Sequence, residues 1–220
     1  MANMKLIVEK PNCSELVGGY EGFISDFSTS QEILKKKQKL VAVLGGGKIS
    51  EDSAYYRKAK DFAGLISAAG ISIVTGGGPG IMQAGNDGTT TSVSSYGLKV
   101  KDIKNESSGS QLGTNCEFMF NTLSIRLLTL IGASDAIVLF PGGFGTLEEM
   151  FSLLVRTKVE MMKKVPIYLF GVKFWEGLVS WLSSEVLGNK AISEEDFELF
   201  KIKDDVKEMS NEIISVLAQY

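Results

Sequence analysis

Apolar and polar positions fall into short blocks along this chain, and the block from Asp135 to Glu149 sets the pattern. Ala136 to Phe140 is an apolar run with the length of one buried strand. Pro141, Gly142, Gly143 and Gly145 break it. From Thr146 onward the apolar residues are Leu147, Met150, Phe151, Leu154 and Val155, the spacing of an amphipathic helix. The block therefore predicts a strand, a glycine turn and a helix.

The same succession occurs twice upstream. Leu40 to Leu44 reads as a strand and ends in Gly45-Gly46-Gly47-Lys48. Ser53 to Ala69 reads as a helix with Tyr55, Ala59, Phe62, Ala63 and Ile66 on one face, and Gly70 stops it. Ile71 to Val74 is the next strand, followed by Thr75-Gly76-Gly77-Gly78-Pro79-Gly80 and a helix opening over Ile81 to Gly85. Leu98 to Val100 reads as a strand and Phe118 to Ile131 as an apolar helix whose only charge is Arg126. Val165 to Phe170 is a further strand, and Phe174 to Leu187 a helix ended by Gly188. Asp204 caps a last helix over Val206 to Leu217. This alternation predicts an α/β fold, a doubly wound and mostly parallel sheet with helices on both faces.

The remaining stretches are less regular. Residues 1–38 read as an N-terminal extension of a single domain spanning 1–220. Within it Leu6-Ile7-Val8 suggests a short strand, and Glu15 to Phe27 is apolar with Gly18, Gly19 and Gly22 interspersed. Gln31 to Lys39 suggests a polar helix whose Lys35-Lys36-Lys37 run is a solvated face. Residues 101–114 are polar and bear Gly and Ser, which predicts a mobile surface loop able to close over a ligand.

Composition narrows the function classes. A net charge of −3 advertises no nucleic-acid surface. No apolar run approaches a membrane span, and the first residues lack a signal-peptide core. Cys13 and Cys116 are the only cysteines, which fits a reducing cytoplasm. Histidine is absent altogether. That removes Ser-His-Asp and Cys-His nucleophilic catalysis and histidine-ligated metal, so we expect no metal site. Proton transfer must then use carboxylates, Lys, Tyr or water.

The candidate chemistry gathers at the glycine loops. In a parallel sheet these loops share the C-terminal edge of the strands, where ligands bind at the switch point of strand order. Glycines let backbone N–H groups approach an anion, and a helix N-terminus favours negative charge. A tight turn alone needs fewer glycines. None of the loops is a P-loop or an ordinary dinucleotide fingerprint. Arg126 sits among apolar residues and either binds an anion, such as a ligand phosphate or Glu149, or snorkels to a wet face beside Thr122 and Thr129. Thr146-Leu147-Glu148-Glu149 has the form of a capping box, which would explain Glu149; a carboxylate beside an anion-binding turn would explain it differently. Gly46, Lys48, Met82 and Gln83, in or beside the glycine loops, are further candidates. Trp175, Trp181 and the Tyr55-Tyr56 pair have the spacing of core residues more than of base-stacking groups.

Thr75-Gly-Gly-Gly-Pro-Gly-Ile-Met82 and Pro141-Gly-Gly-Phe-Gly-Thr-Leu-Glu-Glu149 resemble the two signature motifs of the LOG (LONELY GUY) family of phosphoribohydrolases, also labelled "possible lysine decarboxylase". The resemblance runs from about Leu40 to Leu217. It implies a Rossmann-like fold, a homodimer or higher homo-oligomer, and hydrolysis of nucleoside 5′-monophosphates to free base and ribose 5-phosphate without a cofactor. By the same resemblance Glu149 and Arg126 are the catalytic pair. Gly142, Gly143, Gly145 and Thr146 fall on the phosphate turn, and Gly77, Gly78 and Gly80 on the first glycine loop. Two positions depart from the family: Leu127 stands where it has Lys, and Gln83 where many relatives have Glu. Both departures remove charge from the expected site. A non-catalytic carrier of a nucleotide or molybdenum-cofactor-type ligand is the rival expectation, with a sensor whose hydrolytic site has decayed as a third.

Overall fold

The computed structural model describes residues 19–35, 38–101 and 116–219. One sheet holds seven strands: β1 (Leu40–Leu44), β2 (Ser72–Thr75), β3 (Ser95–Val100), β4 (Cys116–Phe120), β5 (Ala136–Leu139), β6 (Ile167–Phe170) and β7 (Lys201–Lys203). Their order is β4-β3-β2-β1-β5-β6-β7, and every neighbouring pair is parallel. The chain winds outward from β1 to β4, then returns to the other side of β1 with β5. The order thus reverses between β1 and β5, and the glycine turns after these strands leave the sheet side by side.

Among the described residues seven α-helices cover the two faces: α1 (Gly19–Leu34), α2 (Ala54–Ala68), α3 (Ile81–Gly88), α4 (Leu123–Ala133), α5 (Phe144–Lys158), α6 (Val172–Trp181) and α7 (Val206–Leu217). On one face Ile33, Leu130, Met150, Leu153 and Trp175 from α1, α4, α5 and α6 pack on Leu40, Ala42 and Leu44. On the other, Phe62, Ile66, Ile81, Ala84, Met209 and Ile213 from α2, α3 and α7 pack on Val41 and Val43. Alternate residues of β1 thus feed two separate cores. The central strands are buried throughout, which is why they read as unbroken apolar runs.

Several expectations are corrected. The region around Gly22 forms one helix, α1, in place of an apolar stretch followed by a separate helix from Gln31. A side chain at Gly22 would press on Asn121, so that glycine serves a close approach instead of a break. Phe118 to Phe120 belong to β4, and the following helix begins only at Leu123. Tyr56, not Tyr55, is the buried tyrosine of α2. Asp205 caps α7 by accepting from the Glu208 amide, while Asp204 accepts from Val172 N–H at 2.8 Å. The chain from Leu182 to Leu187 is a π-helix, and 3₁₀ helix Glu194–Leu199 and β7 complete the described fold. Trp175 is a core residue whose indole N–H donates to the Phe170 carbonyl at 3.1 Å. The expected strand at Leu6-Ile7-Val8 and most of the expected loop at 101–114 lie outside the described residues, as do Lys36 and Lys37.

A charge cluster ties β7 to α7. Lys203 reaches Glu208 and Glu212, Lys201 reaches Glu212 at 3.2 Å, and the Tyr168 hydroxyl donates to Glu212 at 2.9 Å. Burial pushes the Tyr168 hydroxyl up, and its bond to Glu212 adds to this. The bond from Lys203 pulls the Glu212 carboxyl from its ordinary 4.5 to about 2, helped by Tyr168 and Lys201. A lowered carboxyl binds protons less readily in the folded state than in the unfolded one. Its contribution to stability is complete above pH 4.5 and is lost as pH falls toward 2. Acid unfolding followed by circular dichroism should therefore be shallower across that interval in Glu212→Gln than in wild type; identical slopes would show that the cluster does not couple to folding.

Candidate functional site

Three turns meet at the C-terminal edge of β1, β2 and β5, and the Gly46 peptide is their meeting point. Its N–H donates to the Pro141 carbonyl at 2.9 Å, and its carbonyl accepts from Ile81 N–H at 3.2 Å. One peptide thus ties the turn after β1 to the turn after β5 and to the start of α3. No side chain fits between them. A methyl at Gly80, where φ is +67°, would lie 2.4 Å from the Gly46 carbonyl oxygen. A methyl at Gly142 would lie 2.1 Å from Thr146 Oγ1 and 2.8 Å from the Gly46 nitrogen. Gly46, expected as a ligand contact, spends both backbone groups on its neighbours.

The turn after β5 is open where the packing ends. Gly143 is the N-cap of α5 and makes no side-chain cap; Gly143, Phe144 and Gly145 are exposed, and added methyls at Gly143 and Gly145 would meet nothing within 4 Å. The first turn of a helix has N–H groups without intrahelical acceptors, and it carries partial positive charge. Thr146 lies buried in that turn. Since α5 starts at Phe144, Thr146 is at the third helical position and Glu149 a full turn further on. The capping-box reading of Glu149 is therefore corrected.

Glu149 points to α4 instead. Arg126 Nη1 donates to Glu149 Oε1 at 2.9 Å, and Arg126 is only 5% exposed. The snorkelling reading of Arg126 is thus also corrected: its guanidinium is enclosed. Arg126 lies against the second loop, because a methyl at Gly76 would sit 3.4 Å from Nη1 and 2.8 Å from Met82 Sδ. The Arg126 Nε is buried without a hydrogen-bond partner. This leaves a buried guanidinium N–H able to donate to a further acceptor atom.

The second loop rests on a polar network that sequence reading missed. Thr75 Oγ1 accepts from Gly77 N–H at 3.0 Å and itself donates to Asn86 Oδ1. Asn86 Nδ2 in turn donates to Ser95 Oγ at 2.7 Å. All three polar side chains are buried, so β2, α3 and β3 are stitched together directly beneath Gly77. Gly77 has φ of +72°, and its backbone lies on the Lys99 side chain, which pairs with Glu117 at 2.6 Å. The only signal in the sequence was the polarity of Thr75 and Asn86 within buried segments.

The other expected residues disperse. Lys48 is exposed on the first turn. Gln83 Nε2 faces Glu51 Oε1 at 3.2 Å and Asp87 Oδ2 at 3.5 Å, away from the Arg126–Glu149 pair. Asp87 also accepts from the Tyr56 hydroxyl, which burial, more than this carboxylate, pushes upward. Leu127 is buried in the core and faces no ligand edge. A cleft of about 450 Å³ opens between α2, α3 and α7, lined by Lys58, Lys60, Asp87 and Lys207. An apolar one of about 130 Å³ lies beside α5, lined by Phe151, Val155, Leu182 and Phe197. Neither is lined by a glycine-turn residue, and we place the site on the interlocked turns because the buried charges and open helix N-terminus are there.

A doubly wound parallel sheet with glycine turns at its switch point defines a Rossmann-like protein. The chain belongs to the family described as "Possible lysine decarboxylase", the LOG family, which it matches over residues 73–213, from β2 into α7. It is 28% identical over 142 residues to an uncharacterised protein of Archaeoglobus fulgidus, covering 62% of this chain and 87% of that one. Among solved structures it is similar to the molybdenum cofactor binding protein of Rippkaea orientalis, at a TM-score of 0.61 and 19% identity, covering 83% of this chain and 99% of that one. It is also similar to the molybdenum cofactor carrier protein of Chlamydomonas reinhardtii, at a TM-score of 0.57, 19% identity and the same two coverages. These two likenesses show the fold.

The interlock makes a sharp demand on Gly80. Gly80→Ala imposes a left-handed conformation on a side chain and a clash with the Gly46 carbonyl, so it should cost at least ~1–3 kcal/mol, the range for such backbone strain. Urea unfolding measures this; a loss below that range would mean the three turns are not in rigid contact.

Proposed function

We propose that the protein binds a nucleoside 5′-monophosphate across the switch-point edge and hydrolyses its base–ribose bond. The observation that carries this reading is the buried Arg126–Glu149 pair, set between the open N-terminus of α5 and the Gly76 turn. Membership of the LOG family supports a nucleotide-related role. The phosphate takes the exposed turn of Gly143, Phe144 and Gly145, where backbone N–H groups and the helix dipole favour an anion. Gly77, Gly78 and Gly80 shape the other wall.

Cleavage of an N-glycosidic bond passes through an oxocarbenium-like state. Positive charge builds at C1′ as the base departs, and water adds to the same carbon. Glu149 stabilises that charge and orients the water, while Arg126 holds Glu149 in place. The Arg126 Nε remains available for an oxygen of the phosphate or a nitrogen of the leaving base. The products are free base and ribose 5-phosphate, with the water proton passing to the base.

A second reading has its own support. Proteins of this fold are named for binding or carrying the molybdenum cofactor, and Gln83 and Leu127 bring no charge to the edge. A carrier would use the same turns for a phosphate without turnover. We also propose that the chain acts in the cytoplasm as a homodimer or higher homo-oligomer. Val155 of α5 is 57% exposed and Phe151 38%, although both belong to the apolar spacing of the helix. Phe144 is 93% exposed, so this helix presents an apolar stripe that a second copy would cover. No helix among the described residues is long and apolar enough to cross a membrane.

Two variants separate the readings. Breaking a buried pair leaves an uncompensated charge, so Arg126→Ala and Glu149→Gln should each lose ~3–5 kcal/mol of stability. Assayed well below their melting temperatures, Glu149→Gln should lose ~100-fold or more in base release, the scale of one transition-state contact. It should retain a melting-temperature rise with AMP, whereas Arg126→Ala should lose both. No free base from any nucleoside monophosphate with wild type, together with a persistent AMP shift, would favour the carrier; no shift at all would sink the site.

A further inference from the structure

We propose that Asp26, on α1, is a positioning residue for Arg126. Asp26 is fully buried, and its carboxylate accepts four hydrogen bonds from two consecutive residues at the start of α4. Oδ1 takes the Asn121 N–H at 2.7 Å and the Asn121 side-chain amide at 2.9 Å. Oδ2 takes the Thr122 N–H at 2.8 Å and the Thr122 hydroxyl at 2.8 Å. Thr122 is the N-cap of α4 and makes no cap with its own side chain. A carboxylate from another helix anchors the two residues that lead into α4 instead, with the sign of charge that a helix N-terminus favours.

The Thr122 residue carries this restraint onward. Its N–H is held by Asp26, and its carbonyl accepts the Arg126 N–H at 3.2 Å. Arg126 is thus one turn from the anchor, on the first turn whose direction the anchor sets. Its guanidinium then has to meet Glu149 at 2.9 Å while confined by the Gly76 backbone and Met82. A tilt at the start of α4 moves Arg126 relative to α5, and Glu149 cannot follow without moving α5. The other end of the α1–α4 contact makes no such link: Ser30 Oγ meets Thr129 Oγ1 at 2.6 Å, almost a turn beyond Arg126. Asp26 lies outside residues 73–213, which match the family. The N-terminal helix thereby contributes to a site whose other named residues all come from the turns and helices that follow β1.

The functional meaning rests on the site reading above, so the first readout needs no ligand. Arg57, Arg126 and Arg156 are the three arginines of the chain, so the Nε–H signal of Arg126 can be assigned in ¹⁵N-arginine spectra by its loss in Arg126→Lys. Asp26→Asn replaces one acceptor oxygen with a donor that faces N–H groups. Hydrogen exchange at Arg126 Nε should then quicken ~10-fold or more, the factor that one unsatisfied buried donor brings. Ser30→Ala loosens the same helix pair, removing its hydroxyl's bonds to Thr129 and to the Asp26 main-chain carbonyl but none of the four bonds of the Asp26 carboxylate, and should leave that exchange rate unchanged. If Asp26→Asn does not fold, Asn121→Ala, which removes one side-chain donor, should shift exchange in the same direction to a smaller degree. An unchanged Arg126 rate in whichever of these variants folds overturns the inference, and Asp26 then only holds α1 in place. AMP titration is the second readout: affinity should fall in Asp26→Asn and not in Ser30→Ala. Absence of AMP binding in wild type would count against the proposed function and leave the exchange result to decide the positioning role.

Discussion

Everything at the ligand edge depends on backbone meeting backbone at Gly46. Its amide is committed to the turn after β5 and its carbonyl to the first residue of α3. These bonds require the peptides to approach more closely than any Cβ allows, as the 2.4 Å at Gly80 and 2.1 Å at Gly142 show. The abundance of glycine is therefore partly an architectural requirement. In the turn after β5, by contrast, Gly143 and Gly145 have open space around them. The glycines divide into a set that lets the turns interlock and a set that leaves the N-terminus of α5 bare.

The interlock places two helices so that charges from each meet in an enclosed space. Arg126 on α4 and Glu149 on α5 project from the same side of the sheet and close the edge beside Gly76. Burying both ions costs solvation that their mutual attraction repays only with good geometry and further hydrogen bonds. Here one guanidinium donor is left without a partner. A pair of this kind is a weak device for stability, because well-packed apolar residues would serve as well. Under the proposed function it is a charged site kept ordered until a ligand arrives.

The two positions where the chain departs from the family have local physical reasons. Leu127 packs in the core with Ile33, Leu130 and Met150, so a lysine ammonium there would have no water and no carboxylate to meet. Gln83 lies between Glu51 and Asp87, and a glutamate in its place would set three carboxylates together. The amide donates to both and holds them. The absence of charge at 83 and 127 thus follows from what surrounds these residues here, and the enclosed charges are concentrated instead at Arg126 and Glu149.

The sequence by itself determined the parallel α/β architecture, because strands covered on both faces must be apolar at every position and glycine must follow where turns crowd. β1, β2, β5 and β6 were legible for this reason, as were the glycine turns and the isolation of Arg126 and Glu149 among apolar or turn residues. Local pattern was ambiguous where an element is short or exposed on one side. Phe118 to Phe120 continue an apolar run that a helix explains equally well, and only pairing with β3 makes them a strand. Whether Glu149 caps its own helix or meets Arg126 turned on where α5 begins: its N-cap is Gly143, three residues before the Thr146 that a capping box requires. Asp26 was invisible in the pattern because its two partner residues, Asn121 and Thr122, lie some 95 residues along the chain. Interactions across that separation have no periodicity to read; they exist only once α1 is laid against the start of α4.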